Sequence, residues 1–382
     1  MKFAHIGDCH LGGWRHPELK LLNFQSFQYA LRFCIKEIVD FILIAGDLFD
    51  SAYPPIETLK ETFQEFKKLK EARIPVFLIA GSHDYSVSGK TFLEVLEKSG
   101  FCKNVFKFQE KDGIKILEPT IYKNVAIYGY PGKKSGLEVG EIEKLRYQGA
   151  PGLFKILMLH TTIRDAVGDS PINAVDEKLL PQVDYLALAH LHIKYQRENR
   201  VYCGPTFPNN ISELEELHHG FFYIYDNGKI KRKEINLKEV LPYSLEIRSS
   251  LGTTEEIISF FKDINVKDKI VILRLSGLLE KGKISDIDFQ RIELFLKNKG
   301  AHLFLKTTSK LHMPESEFKT DISDYDNIEL QIIDKFQEKR KSKFNPAISG
   351  LMSCLSTEKN EDETRLTFED RLLSEAKKIL AI

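Results

Sequence analysis

Five short apolar runs in this chain each stop at residues able to hold a metal ion or carry a proton. Lys2 to Ile6 lead into Gly7-Asp8-Cys9-His10, and Phe41 to Ile44 lead into Gly46-Asp47-Leu48-Phe49-Asp50. Pro75 to Ala80 run into Gly81-Ser82-His83-Asp84, Phe154 to Leu159 into His160, and Asp184 to Ala189 into His190-Leu191-His192. Each run has the length and content of a strand, and in open α/β sheets the carboxyl ends of parallel strands share a rim where ligands bind. His-x-His at a strand end aims both rings the same way, because alternate side chains share a face. Asp8 and Asp47 would crowd there with the imidazoles of His10, His83, His160, His190 and His192. Without a cation that crowding is costly, since unpaired buried charge and unsatisfied ring nitrogens are heavily penalised. A metal centre is the economical reading. His5, His16, His218, His219, His302 and His312 fit no such pattern and are read as structural.

The elements between these ends alternate as β-α-β-α-β, the signature of a largely parallel sheet covered by helices. A helical period runs from Leu19 to Val39, and a second follows Pro54-Pro55 with Leu59, Phe63, Phe66 and Leu69 as its stripe. A short helix passes through Phe92 and Leu96 to a Gly100 cap. Short strands are expected over 104–135, a connecting helix from Glu138 to Gln148, and a hairpin across Asn227-Gly228. Around Pro242 the pattern restarts, with strands at Leu245–Ser249, Ile270–Leu275 and His302–Thr307 and helices at Glu255–Phe261 and Ile287–Leu296. Thr253 and Glu256 have capping-box spacing. The expected class is therefore α/β in three parts: a sheet core with flanking helices over 1–242, a small second α/β domain over 243–312, and a helical tail over 313–382. The small domain lacks clustered ligands, so its expected task is to shape a cleft or grip substrate. The tail carries amphipathic helices at Ile328–Phe336 and Leu366–Leu380 that would dock on another surface or back on their own chain. Between them, Lys339-Arg340-Lys341 and Lys343 could touch phosphates.

Composition narrows the partners. Lys plus Arg and Asp plus Glu balance at 55 each over 382 residues, so no global field gathers nucleic acid. A DNA-binding role would need a local patch or a partner's surface. Five cysteines at irregular spacing read as free thiols in a reducing compartment. No signal peptide and no membrane-spanning apolar run is evident, which points to the cytoplasm.

Asp8-x-His10, Gly46-Asp47-x-x-Asp50, Gly81-Ser82-His83-Asp84, His160 and Ala189-His190-x-His192 together resemble the calcineurin-like metallophosphoesterase signature in its usual chain order. Within that superfamily, Phe3 to Gly12, Gly46 to Phe49 and a small domain after the phosphoesterase core are most similar to the DNA double-strand-break repair nucleases called SbcD in bacteria and Mre-eleven elsewhere. The resemblance implies a metallophosphoesterase-type fold with a capping domain and two divalent ions, most often manganese. Asp47 would bridge them; Asp8, His10 and His192 would complete one site, and His160, His190 and Ser82 the other. Two such ions clamp a phosphate and acidify a water. His83 would give a proton to the leaving group or orient the phosphate. Ser82 stands where the family usually has Asn, and its shorter side chain implies a looser second ion. Asp50 stands where archaeal members place a histidine, and Ala189 replaces the usual glycine.

The function so implied is a manganese-dependent DNA nuclease, exonuclease or endonuclease, that works as a homodimer with an SMC-like coiled-coil ATPase of the SbcC type docked on its C-terminal helices. A phosphoesterase for small phosphodiesters or nucleotides would use the same site residues without needing the second domain or tail. A structural subunit weakened at Ser82 is the third reading, against which the retained ligands and His83 stand.

Overall fold

The computed structural model describes residues 1–312 apart from 87, 88, 134 and 135, together with 342, 345–357 and 365–380. In chain order β1 (Lys2–Ile6), α1 (Pro17–Lys36), β2 (Phe41–Ile44), α2 (Ile56–Glu71), β3 (Val76–Leu78), α3 (Leu93–Lys98) and β4 (Lys103–Asn104) form the expected alternation. Short strands follow: β5 (Phe108–Lys111), β6 (Ile114–Leu117), β7 (Thr120–Tyr122) and β8 (Val125–Tyr130), then α4 (Glu138–Ile142) and β9 (Arg146–Tyr147). Next come β10 (Phe154–His160), α5 (Arg164–Val167), β11 (Tyr185–Ala189), β12 (Tyr195–Arg197), β13 (Arg200–Tyr202), α6 (Ile211–Leu217), β14 (Gly220–Asp226) and β15 (Lys229–Ile235). The last part contains β16 (Val240–Glu246), α7 (Thr253–Phe261), β17 (Ile270–Leu278), α8 (Phe289–Asn298) and β18 (Leu303–His312).

The functional strand ends do not share one sheet. Two six-stranded sheets are present, ordered β15-β14-β1-β2-β3-β4 and β12-β13-β11-β10-β8-β7. The expectation of a single sheet is corrected because β14 returns antiparallel beside β1, at the edge where β10 and β11 would have to join. Those two strands pair parallel with each other in the second sheet instead. Alternation then decides the layers. In β2, Ile42 and Ile44 pack outward against α1 and α2, while Phe41 and Leu43 face inward. In β10, Ile156 and Met158 meet that same inner layer, and Leu157 and Leu159 face the outer side of the second sheet. Strands apolar on both faces require cover on both faces; the two sheets cover each other's inner face and helices cover the outer faces. Phe3 stacks on Phe41 at 4.9 Å within this inner core.

Other elements shift for local reasons. The expected helix Glu138–Gln148 ends at Ile142, since Arg146 and Tyr147 pair with β6. Asn227-Gly228 makes the hairpin turn, both residues at positive φ. The strand expected at Leu245–Ser249 spans Val240–Glu246, and Pro242 is tolerated because β16 is an edge of the sheet β16-β17-β18. Helix α7 is capped by Gly252 in a left-handed conformation, so the Thr253–Glu256 capping box does not form. Thr253 instead donates its hydroxyl proton to the Ser249 carbonyl. Residues of β16, β17 and β18 share a core with Leu19 and Leu22 of α1 and Leu214 of α6.

Residues 1–277 and 281–311 make one compact unit, and 278–280 with 312–382 a second. In the second unit helix Ile348–Leu355, which the sequence reading lacks, packs on helix Arg365–Leu380, with the buried Cys354 Sγ 3.8 Å from the Leu372 carbonyl. The helix expected at Ile328–Phe336 and the cluster Lys339-Arg340-Lys341 with Lys343 lie outside the described residues. All five cysteines are free thiols. Among the described residues, no helix is long and apolar enough to cross a membrane.

Because Phe41 is buried between the sheets, Phe41→Ala is expected to cost about 3–5 kcal/mol in chemical denaturation. A loss below about 1 kcal/mol would contradict this packing.

Candidate metal centre

Backbone conformation delivers the ligand-type side chains. Asp8, His10 and Asp47 have φ of 46°, 43° and 48°, and His190 has 99°. Such values cost roughly 1–3 kcal/mol for a residue with a side chain and persist only where surrounding bonds impose them. Here the loops after β1 and β2 go on pairing beyond the sheet: Asp8 N–H donates to the Gly46 carbonyl, His10 N–H to Asp47 and Leu11 N–H to Leu48, each at 3.0 Å. Gly46 has φ of 100°, and a Cβ there would lie 2.4 Å from His160 Nδ1. At Gly81 a Cβ would lie 2.1 Å from Asp47 Oδ1, so only glycine lets the Ser82–His83 loop close on that carboxylate.

Ligand atoms of Asp8, His10 and His192 lie within 4.8 Å of one another, as do those of Asp8, Asp47 and His160. His10, Asp50 and His83 form a third such triple. Asp47 stands between the first two groups, its Oδ2 3.7 Å from His10 Nε2 and 3.2 Å from His160 Nε2. Ser82 Oγ donates to the same oxygen at 3.4 Å, and the His83 amide donates to Oδ1 at 2.8 Å. His190 takes a different position. Its amide donates to both Asp8 oxygens at 3.1 Å, its ring packs against His160 with centroids 5.2 Å apart, and it joins none of these triples. Of the predicted residues, Asp8, His10, Asp47, Ser82, His83, His160 and His192 are brought together by side-chain or amide contacts, and His190 by its backbone.

The arrangement passes a physical test for a cation. His10 Nδ1–H donates to Asp50 Oδ1 at 3.2 Å and His192 Nδ1–H donates to Glu213 Oε2 at 2.9 Å. Their Nε2 atoms meet at 3.2 Å, a contact that one shared proton satisfies: burial opposes charge on His192 but Glu213 and Asp8 raise its pKa, and a divalent ion would take that proton's place. His160 Nδ1–H is committed to the Ala45 carbonyl at 3.0 Å, and its buried Nε2 meets Asp47 Oδ2 at 3.2 Å outside good hydrogen-bond geometry. Burial would lower the His160 pKa, but the charges of Asp47 and Asp8 push it up to about 10. Burial likewise opposes ionisation of Asp47, and His160 and His10 more than offset it, holding that carboxyl below its ordinary range. A field that would keep a proton on a buried imidazole will equally hold a divalent ion, with the ring then neutral. Carboxylate and imidazole donors suit manganese, iron or zinc.

Of three orienting carboxylates, Asp50 and Asp84 lie in the sequence motifs without an assigned ligand or catalytic role, and Glu213 stands outside the residues singled out from sequence. Asp50 and Glu213 fix the tautomers of His10 and His192, the usual way a second layer aims a metal-binding ring. Asp84 accepts from the amides of Gly81, Phe49 and Leu48 at 2.9, 3.0 and 3.3 Å. Burial and the nearby Asp47 push it up to about 7. Glu213 follows Asn210 at capping-box spacing, and Asn210 does accept from the Glu213 amide, so a sequence signal for its placement existed.

A model of the calcineurin-like phosphoesterase family matches residues 1–194, half of the chain, and these residues include every one of the predicted site residues. The chain is a calcineurin-like phosphoesterase. This phosphoesterase is 26% identical over 344 residues to the DNA double-strand break repair protein Mre11 of Methanosarcina acetivorans, covering 86% of the chain and 54% of that protein. It is 27% identical over 319 residues to the protein of the same name from Methanocaldococcus jannaschii, covering 77% of each. It is also 27% identical over 261 residues to the uncharacterized metallophosphoesterase YhaO of Bacillus subtilis, covering 63% of the chain and 61% of that protein. The chain spans about half the length of the Methanosarcina relative.

Since Glu213 holds His192, Glu213→Gln is expected to weaken manganese binding about 10- to 100-fold in calorimetric titration. An unchanged affinity would remove Glu213 from the centre.

Proposed function

We propose that this phosphoesterase is a manganese-dependent DNA nuclease of double-strand-break repair, working in the cytoplasm with an SMC-like coiled-coil ATPase. The observation that carries this is the reach of the similarity: the match to the Methanosarcina repair protein covers 86% of the chain, whereas the phosphoesterase family model stops at residue 194. A hydrolase of small phosphodiesters needs no more than the first part. On this reading residues 1–242 form the nuclease domain, 243–312 a capping domain that shapes the DNA cleft, and 313–382 the tail that docks the ATPase.

Asp8, His10 and His192 would hold one ion, His160, His190 and Ser82 the other, and Asp47 both. When bound, the two ions neutralise the phosphate and acidify a water for attack on phosphorus. For His190 to take part, its ring has to turn from its present packing on His160. Ser82 bonds to Asp47, so the second ion is the looser of the two. His83 is half-exposed and donates Nδ1–H to the Asp50 carbonyl at 2.9 Å, which makes Nε2 the nitrogen for proton transfer to the leaving oxygen. It lines a cavity of about 720 Å³ with Asp50, Ser82 and His190, wide enough to admit a phosphodiester. Exposed apolar residues of the first two helices, Leu21 and Ile56 among them, supply the surface for a homodimer.

Assays with manganese on linear duplex, single-stranded DNA and a chromogenic diester test the reading. Cleavage of DNA is expected, falling about 10²- to 10⁴-fold in kcat for His83→Ala with manganese affinity retained. Hydrolysis of the chromogenic diester alone would favour a small-molecule enzyme. No hydrolysis until Ser82→Asn is introduced would favour a weakened structural subunit. Deleting residues 326–382 is expected to abolish co-purification of the ATPase, and undiminished capture would place the partner elsewhere.

A further inference from the structure

A second cavity of about 500 Å³ opens beside the crevice that holds His83, and it differs in chemistry. The crevice is lined by polar and ligand-type residues, whereas this cavity is walled by Tyr85, Phe106, Phe108, Tyr130 and Leu137, with Lys133 at the boundary. Tyr85, Ser86 and Lys133 line both spaces, so the two adjoin. Its volume falls in the range of about 300–1,000 Å³ typical of small-ligand pockets.

The aromatic wall is built and partly open to solvent. Phe106 and Phe108 stack with centroids 5.2 Å apart and 28° between planes, and Tyr130 meets Phe106 edge-on at 5.2 Å. Phe108 is 39% exposed and Leu137 67% at the cavity mouth. Lys115 lies 5.4 Å over the Phe108 ring and donates to Glu141 at 3.1 Å. Glu141 also accepts from Tyr130 and Lys133, so its charge is met by two cations and a hydroxyl and does not repel an anion approaching along the crevice. A flat π face, an apolar lip and flanking ammonium groups beside a phosphodiester site match a base on its sugar-phosphate backbone.

We propose that this cavity receives an unpaired nucleobase of the strand whose phosphate enters the metal centre, stacked on Phe108 in place of the Lys115 ammonium that now lies over that ring. The proposal rests on the nuclease reading and narrows it to substrates with at least one unstacked nucleotide near the cleaved bond. Stacking of this kind tolerates any base, because every base has a π face.

The test is binding of the full chain, in calcium to hold off hydrolysis, to a short oligothymidylate and to an abasic strand of equal length and charge. The intact protein is expected to prefer the strand with bases by about 5- to 150-fold. Phe108→Ala should lose that preference while holding the abasic strand as before, and Phe108→Trp should keep it. Phe108→Leu retains the apolar volume without the ring, so it serves where the alanine variant folds poorly, and it too should lose the preference. A preference that survives in Phe108→Ala or Phe108→Leu overturns the proposal. So does equal binding of both strands by the intact protein, and if that protein still cleaves DNA the nuclease reading stands without the stacking site. Failure to bind either strand would remove both, and would leave the cavity to an apolar side chain of a protein partner.

Discussion

The ring nitrogens of His10 and His192 meet at 3.2 Å in a largely buried contact, and much of the surrounding structure holds them there. Asp50 anchors one ring and Glu213 the other, each by its Nδ1–H, so neither can turn away to relieve the contact. Without a cation, this desolvated pair is satisfied by a proton shared between the rings. A divalent cation converts it into a binding site, because two neutral lone pairs beside the carboxylates of Asp8 and Asp47 are the donors such an ion takes.

Holding this geometry requires support from the backbone. Asp8, His10 and Asp47 all sit in left-handed conformations at the ends of adjacent strands β1 and β2. Their strain is countered by amide bonds from one loop to the other and by the packing of both strands between α1, α2 and the second sheet. Asp84 accepts three amides from the loops after β2 and β3, which fastens the Ser82–His83 turn to the loop of Asp47. The inner core of Phe3, Phe41 and Met158 sets how closely the two sheets approach, and so how far His160 lies from Asp47.

The charge balance of the chain bears on how it would hold its substrate. With Lys plus Arg equal to Asp plus Glu, long-range attraction for a polyanion is weak. On the proposed nuclease reading, affinity would come from contacts of short range: ions at the metal centre, ring stacking in the neighbouring aromatic cavity, and surfaces provided by a partner. The position of Lys115 and Lys133 against Glu141 is consistent with that division, since their charge is used to neutralise the cavity's own carboxylate and not to project a field.

Residue type and spacing alone determined the identity of the strand ends, the β-α-β alternation of the first part and the hairpin at Asn227-Gly228, because these depend on local periodicity and on turn chemistry within a few residues. They also determined which side chains would be rich in metal-binding atoms. The number of sheets was decided by tertiary structure, since it depends on β14 returning across more than two hundred residues to pair with β1. So were the roles of Asp50, Asp84 and Glu213, which turn on remote partners (His10, the Leu48 and Phe49 amides, and His192) and whose residue types are common on any surface. The placement of Pro242 within β16, and of His190 with its ring on His160 and its amide on Asp8, likewise followed from neighbours that no local pattern names. Chemistry is carried by residue type and can be read along a chain, but orientation is set by contacts across it and appears only once the two sheets are brought face to face.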